Sequence, residues 1–207
     1  MVDEVRLYIE GGGSHNETKI RLRQGFRQFF NGLVTLARAN QVEFRIVMGG
    51  SCLEAFKLFR AHIRSRSGAF SVLLVDSEGP IGESLAECLP DPHAWRALEL
   101  PDQHCHLMVQ AMEAWLLADI ECLKNYYGQL FEGNSIPPEG SDVESLSTDS
   151  LIDILEKATR HTRKGVYHKI RHASELLEKI DATKVRQSSA HCDRLFTVMS
   201  DVIEKNR

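Results

Sequence analysis

The sequence lacks the features that mark membrane proteins, exported proteins and disulfide-stabilised domains. No stretch approaches the roughly 20 consecutive apolar residues that a membrane-spanning helix needs. The first residues, Met1-Val2-Asp3-Glu4, have neither the basic region nor the apolar core of a signal peptide. The five cysteines are scattered, with no Cys-x2-Cys spacing for zinc. These absences predict a soluble, cytoplasmic protein with no membrane contact.

Two common catalytic signatures are missing as well. The run Gly11-Gly12-Gly13 is not followed by the Gly-Lys-Ser/Thr of a Walker ATP-binding loop, and no Gly-x-Ser-x-Gly nucleophile elbow occurs. The 207 residues are 43% hydrophobic and 26% charged, which excludes a disordered chain and suits one globular domain.

The net charge of -4 conceals a strong asymmetry along the chain. Residues 76–156 contain 17 acidic and two basic residues, whereas the remainder contains 23 basic and 12 acidic residues. Two basic runs, residues 18–42 and 159–174, contain no acid. Each run is as compatible with a solvated helix face as with a track that binds a polyanion.

Alternating strand and helix patterns predict an α/β protein. Strands are expected at 5–9, 42–48 and 69–75, with helices at 17–39 and 51–66 between them. This βαβαβ order predicts a mostly parallel sheet flanked by helices.

The rest of the chain is predicted to be mainly helical. A short helix at 82–88, a fourth strand at 106–110 and a helix at 112–124 complete a core of residues 1–127. Residues 128–149 are predicted to form a loop. Helices are expected at 151–160, 169–180 and 188–205, in a helical C-terminal portion (150–207) that packs on the same domain.

Acidic residues follow two of the predicted strands. Glu10 ends the first strand, and Asp76-Ser77-Glu78 ends the third. The carboxyl ends of parallel strands share one edge, where ligands gather. Two carboxylates 4 Å apart repel by about 4 kcal/mol at a surface-like dielectric, a cost that a divalent cation removes. Either acid could instead cap a helix, and Gly11-Gly12-Gly13 would leave room for a ligand or phosphate.

These motifs carry a family resemblance. The series strand, Glu10-Gly11, helix, strand, helix, strand, Asp76-Ser77-Glu78 resembles the Toprim fold of topoisomerases, primases and the OLD-type and RloB-like nucleases of bacterial defence. Glu113-Ala114-Trp115 resembles the Glu-x-Trp-x-Leu helix of the RloB-like group, and Tyr167-His168-Lys169 resembles its later Tyr-x-Lys motif. The resemblance is closest to an uncharacterised bacterial family of Toprim-like proteins. In related nucleases a second acid often stands four residues after the first, whereas here the next acid is Glu17.

The resemblance implies a metal-dependent nuclease. Glu10, Asp76, Glu78 and Glu113 would hold one or two Mg²⁺ or Mn²⁺ ions, beside Gly11, Gly12 and Gly13. Lys169 would neutralise the charge that builds on the phosphate. The family context implies an antiviral defence effector that works with a separately encoded ABC- or SMC-like ATPase.

Basic side chains are the expected nucleic-acid contacts, and the sequence does not separate DNA from RNA. The candidates are Lys19, Arg23 and Arg27, then Lys57, Arg60 and Arg64, then Arg163, Lys164 and Arg171. Two alternatives stay open: a non-catalytic subunit that docks on an ATPase complex through its acidic block, and nucleotidyl or phosphoryl transfer on a small nucleotide. A homodimer is also compatible with the sequence.

Overall fold

Four parallel β-strands form the sheet in the part of the chain that the computed structural model describes, which is residues 2–65, 68–81, 89 and 91–205. The strands are β1 (Glu4–Gly12), β2 (Glu43–Gly50), β3 (Ala69–Asp76) and β4 (Cys105–Met108). Their order across the sheet is β2-β1-β3-β4, and every neighbouring pair is parallel. The predicted parallel α/β fold is therefore confirmed, and it is consistent with a Toprim-like arrangement.

Helices cover both faces of this sheet. In chain order they are α1 (Asn16–Phe29), α2 (Asn31–Ala39), α3 (Cys52–Ser65), α4 (Pro92–Arg96), α5 (Glu113–Leu117), α6 (Ile120–Tyr127), α7 (Thr148–Thr159), α8 (Lys169–Leu177), α9 (Ala182–Ser188) and α10 (Ala190–Glu204). Helix α8 packs against α1, and α10 packs against α2 and β4, so the C-terminal helices lie directly on the sheet domain. None of the described helices combines the length and apolar character needed to cross a bilayer.

Alternate residues of the central strands face opposite helical layers. Val72 and Leu74 of β3 pack toward the layer that contains α1, α2 and the C-terminal helices. Leu73 and Val75 pack toward α3 and Trp95. A strand that is covered on both faces is apolar throughout, which explains the continuous apolar run at 69–75.

The predicted helix 17–39 is two helices, because the chain bends at Phe30. This residue ends α1 and precedes α2, with φ -87° and ψ 16°. Phe29 and Phe30 are both buried, and both rings contact Phe196 of α10. Adjacent residues of a straight helix point about 100° apart, so the bend allows both rings to reach the core.

The predicted helix 112–124 is also divided, at Asp119. The Asp119 carboxylate accepts a hydrogen bond from the Cys122 N–H at 3.1 Å and thereby caps α6. It also accepts from the Asp181 N–H at 3.0 Å and pairs with Lys184 Nζ at 3.1 Å. Because aspartate at an N-cap favours a new helix start, α5 ends and α6 begins here.

Other boundaries differ from the prediction in smaller ways. Strand β4 ends two residues before the predicted position 110, and helix α9 was not predicted. Helix α4 was not predicted either, although Asp91 caps it through the Ala94 N–H at 2.8 Å and Pro92 occupies its first turn. The predicted loop 128–149 places Ile136 and Val143 in the core. The predicted helix 82–88 lies outside the described residues.

Candidate active site

The carboxyl ends of the strands meet at one edge of the sheet. Glu10 of β1 is in register with Gly50, which ends β2, and Asp76, which ends β3, is in register with Met108 of β4. Ligands of open parallel α/β sheets bind at this edge. The two predicted acids therefore face the same region of the molecule.

Asp76 divides its two carboxylate oxygens between the backbone and a lysine. Its Oδ1 accepts a hydrogen bond from the Met112 N–H at 2.9 Å, and its Oδ2 lies 3.6 Å from Lys169 Nζ. Burial raises the pKa of Asp76 to about 7; Lys169 opposes this rise, and the charges of Glu10 and Glu113 add to it. Asp76 is therefore only partly ionised near neutral pH, and a bound cation would favour its ionised form.

Glu113, the first residue of α5, is a buried carboxylate held from two sides. Its side chain is 1% exposed. Its Oε1 accepts a hydrogen bond from the Tyr167 hydroxyl at 3.0 Å, and its Oε2 lies 3.4 Å from Lys169 Nζ. Burial, with the charge of Glu113, raises the pKa of Tyr167 well above its usual range, so the phenol stays protonated and donates this bond.

Lys169, the first residue of α8, bridges Asp76 and Glu113. Burial acts to lower the pKa of Lys169, but the two carboxylates outweigh it and the pKa is raised. Its side chain is still 52% exposed and lines a cavity at the sheet edge. The ammonium therefore stays charged and has a face open to an incoming anion.

Glu10 is anchored by backbone N–H groups on both sides. Its Oε2 accepts from the Asp76 N–H at 3.2 Å, and the carboxylate also accepts from the N–H of Cys52, the first residue of α3. Burial raises the pKa of Glu10, and the charge of Glu78 adds to this rise against the two hydrogen bonds. The sequence left open whether Glu10 caps a helix, and its bond from the Cys52 N–H at the start of α3 is such a contact. Glu10 also lines the same cavity as Asp76.

Glu78 stands apart from this cluster. Its side chain is exposed, its backbone has φ +55°, and its N–H donates to the Gln110 carbonyl at 2.9 Å. Its charge is close enough to affect Glu10, but the described lining of the cavity does not include it.

The cavity has a volume of about 320 Å³ and lies between the strand ends and the first turns of α1 and α8. Gly11, Gly12 and Gly13 line it with φ of +125°, +87° and +57°. A Cβ on Gly11 would lie 2.7 Å from Leu22 Cδ2, and one on Gly12 would lie 2.9 Å from Lys19 Cα. The first two glycines therefore let α1 approach the strand, and Gly13 faces open space.

The donor set at this edge suits a hard divalent cation. Glu10, Asp76 and Glu113 offer only carboxylate oxygens, which Mg²⁺ and Mn²⁺ prefer. Mg²⁺ commonly takes one or two protein carboxylates and completes its shell with water and phosphate. Within the described ranges, no three Asp, Glu, His or Cys side chains are arranged as a ready-made metal cluster. The residues fit an ion with few protein ligands, since Lys169 stands between two of the carboxylates.

One of the predicted basic groups lies beside the cavity. Lys19, Arg23 and Arg27 recur every four residues on one face of α1. Lys19 Nζ lies 3.3 Å from the Gly49 carbonyl, next to the cavity-lining Gly50. Arg23 and Arg27 are exposed, border a groove of about 510 Å³ along β2, and form no ion pair within the described part of the chain.

The other basic groups are not brought to the cavity. Arg163, Lys164 and Arg171 are exposed, and Lys164 lies 4.2 Å from the centre of the Tyr126 ring, in a separate hollow of about 720 Å³. On α3, Lys57 pairs with Glu54 at 2.8 Å, Arg60 lies over the Phe56 ring, and Arg64 is exposed.

Two groups of site residues were missed at the sequence level. Tyr167 was noted only as part of a motif, although it fixes Glu113. The Tyr-x-Lys spacing was the available signal for it. The other cavity-lining residues of α1 and α8, such as Thr18 and Ile170, gave no signal, because their role depends on how the two helices pack.

Fold and site together define a parallel α/β protein with a carboxylate and lysine cluster at the carboxyl edge of its sheet. The chain belongs to the family described as Domain of unknown function (DUF4276), whose model matches residues 9–200. That range contains every member of the cluster. Among curated proteins and solved structures, no match to the chain is found.

Proposed function

We propose that the protein is a metal-dependent nuclease of the Toprim type that cleaves phosphodiester bonds. The observation that carries this proposal is the convergence of Asp76 and Glu113 on Lys169, beside Glu10, at the ligand-binding edge of the sheet. The motifs that resemble RloB-like and OLD-type nucleases supply these four residues. The proposal assigns them to one reaction centre.

The chemistry divides between a cation and the side chains. Glu10 and Asp76 would hold the ion, with Glu113 beside them, whereas Glu78 lies outside the described cavity lining. When bound, Mg²⁺ or Mn²⁺ supplies Lewis-acid polarisation of the phosphate and a water of lowered pKa. Lys169 turns its exposed face to a non-bridging phosphate oxygen and stabilises the charge that grows there. Tyr167 and Glu113 fix the direction from which the ammonium acts.

Basic side chains would hold the polymer by its phosphates. Lys19, Arg23 and Arg27 are best placed, because their row on α1 begins beside the cavity. Arg163, Lys164 and Arg171 would contact more distant phosphates. Contacts of this kind give affinity without reading sequence, and binding would weaken steeply with salt.

The biological setting follows from the resemblance alone. We place the protein in the cytoplasm as a bacterial antiviral effector under the control of a separate ABC- or SMC-like ATPase. In the non-catalytic alternative, the acidic stretch 76–156 would contact such a partner.

A cleavage assay tests the nuclease proposal. Plasmid DNA, single-stranded DNA and total RNA are incubated with the protein in Mg²⁺, Mn²⁺ or EDTA. Asp76→Asn is the test variant. Asp153→Asn, an exposed acid paired with Lys157 on α7, is the matched control. The proposal is supported if cleavage requires metal, is lost in Asp76→Asn and is retained in Asp153→Asn. Cutting that Asp76→Asn leaves unchanged contradicts it.

The cavity volume favours one second candidate, nucleotidyl or phosphoryl transfer on a small nucleotide. About 320 Å³ is at the small end of ligand pockets and suits a single monomer. Turnover of free nucleotides, with no cutting of any polymer in the same metal conditions, would favour this candidate over the nuclease.

A further inference from the structure

We propose that the cavity beside Glu10 and Asp76 receives the base of one unpaired nucleotide, so that the substrate is single-stranded nucleic acid. This inference rests on the proposed function and names its substrate class.

The lining of the cavity combines charged and apolar side chains. Its charged members are Glu10, Asp76 and Lys169. Its apolar members are Leu22, Met108, Met112, Ile170 and Ala173. A phosphate would lose its hydration against such a wall without finding a partner. The neutral, flat base is the part of a nucleotide that suits it.

The two methionines strengthen this assignment. Met108 ends β4 and Met112 precedes α5, and the two residues are only 1% and 3% exposed. Thioether side chains are polarizable and adaptable, and sulfur makes favourable contacts with aromatic rings. Such side chains can shift to accommodate a base without selecting one.

Polar groups at the rim complete the pocket. Ser14, His15 and Thr18 line it from the start of α1, and Ser174 lines it from α8. Ligand pockets of proteins are commonly apolar with a few polar groups that fix orientation. These polar groups suit the edge of a base, and Lys169 in the same lining suits the phosphate.

A base that enters this cavity must leave the helical stack. The volume of about 320 Å³ is in the range of small-ligand pockets. Enzymes whose pockets close around one base act on single strands or extrude the base from a duplex, which costs unstacking free energy. An unpaired nucleotide enters without that cost.

The basic row on α1 provides the approach. Lys19, Arg23 and Arg27 span about 12 Å along the helix axis, from the cavity mouth to the groove along β2. A strand held there by its phosphates would present its next nucleotide to the cavity. The positive row and the apolar pocket are thus two parts of one binding surface.

Binding without chemistry tests the inference. The Asp76→Asn protein is titrated with a labelled single-stranded oligonucleotide and its duplex, and AMP, UMP and ribose 5-phosphate are then tested as competitors. Single strands should bind at least about tenfold more tightly than the duplex, and the monophosphates should compete at least about tenfold better than ribose 5-phosphate. Equal competition by ribose 5-phosphate, or equal duplex binding, overturns the inference.

Two variants locate the effect. Ala173→Leu fills the buried wall and should remove the advantage of AMP over ribose 5-phosphate; its melting temperature reports whether it folds. Ile170→Asp, at a position 60% exposed, tests the same wall without overpacking the core. If either variant folds and AMP still competes better than ribose 5-phosphate, the assignment of this cavity to a base is contradicted. Base-dependent binding, together with cleavage that Asp76→Asn leaves unchanged, would defeat only the nuclease proposal. Cleavage of duplex and single strand alike would defeat only the pocket.

Discussion

The Lys169 ammonium lies 3.4 Å from Glu113 Oε2 and joins the first residue of α8 to the first residue of α5, 56 positions earlier. It also lies 3.6 Å from Asp76 Oδ2 at the end of β3. The candidate site is therefore built from both the sheet and the C-terminal helices. Its geometry exists only when those helices pack on the sheet.

Lys169→Met is expected to lower the cleavage rate by about 10²–10³-fold, because a positioned cation is lost from the growing phosphate charge. Lys157→Met is the matched control, since Lys157 is exposed on α7 and pairs with Asp153. Single-turnover cleavage rates measure both. Equal rates for Lys169→Met and the control would remove Lys169 from the reaction.

Tyr167→Phe is expected to lower the free energy of unfolding by about 2 kcal/mol, because the buried Glu113 carboxylate loses a hydrogen bond. Tyr126→Phe removes a similar bond, 2.9 Å long, to the exposed Glu175. This control should lose less than about 1 kcal/mol, since water replaces the lost partner. Urea denaturation compares the two, and a larger loss in Tyr126→Phe would contradict the role given to Glu113.

Gly12→Ala is expected to destabilise the protein by about 3 kcal/mol. The position has φ +87°, and a Cβ would lie 2.9 Å from Lys19 Cα, so α1 must shift. Gly13→Ala, at φ +57° with open space around it, should cost only about 1 kcal/mol. Thermal or urea unfolding measures both losses. Similar losses would show that α1 does not press on the glycine turn.

Much of the fold was predictable because its signals are local. The apolar run 69–75 predicted a strand covered on both faces, and Ser51 with Glu54 predicted the start of α3, where the Glu54 N–H donates to Ser51 Oγ at 3.2 Å. Acids directly after the predicted strands 5–9 and 69–75 predicted the edge at which the candidate site lies. Each of these predictions depends only on residues that are close in sequence and on the alternation of residues along a strand.

The remaining features depend on packing between distant segments. The bend at Phe30 brings two adjacent rings to the core around Phe196. Asp119, which caps α6, is also held by Asp181 and Lys184, more than 60 positions later. Glu78 was grouped with Asp76 by motif, but the backbone at φ +55° leaves its side chain exposed. Sequence spacing alone does not contain these contacts.

His106 is expected to make stability fall at acid pH. Its Nε2–H donates to the Gln103 carbonyl at 3.2 Å, and Nδ1 is buried without a partner among the described residues. Burial lowers the pKa of His106 to about 3, and Arg194, His191 and His104 add to the effect. The unfolded chain takes up this proton near pH 6.5, so it binds more protons than the folded chain between pH 6.5 and 3.

Stability from His106 is therefore fully present above about pH 6.5 and is lost as pH falls toward 3. His106→Leu should remove this loss. Its free energy of unfolding, relative to the unmodified protein, should rise by about 1 kcal/mol per pH unit below pH 6.5. Urea denaturation at several pH values measures the difference, and a pH-independent difference would contradict the assignment.

The most direct test of the central claim is a calorimetric titration of Mn²⁺ into the protein without nucleic acid. The account predicts binding to the unmodified chain and to Asp153→Asn with the same affinity, and binding at least about tenfold weaker to Asp76→Asn, which removes a carboxylate charge from the site. Equal Mn²⁺ affinity in Asp76→Asn and Asp153→Asn would contradict a metal centre at the end of β3.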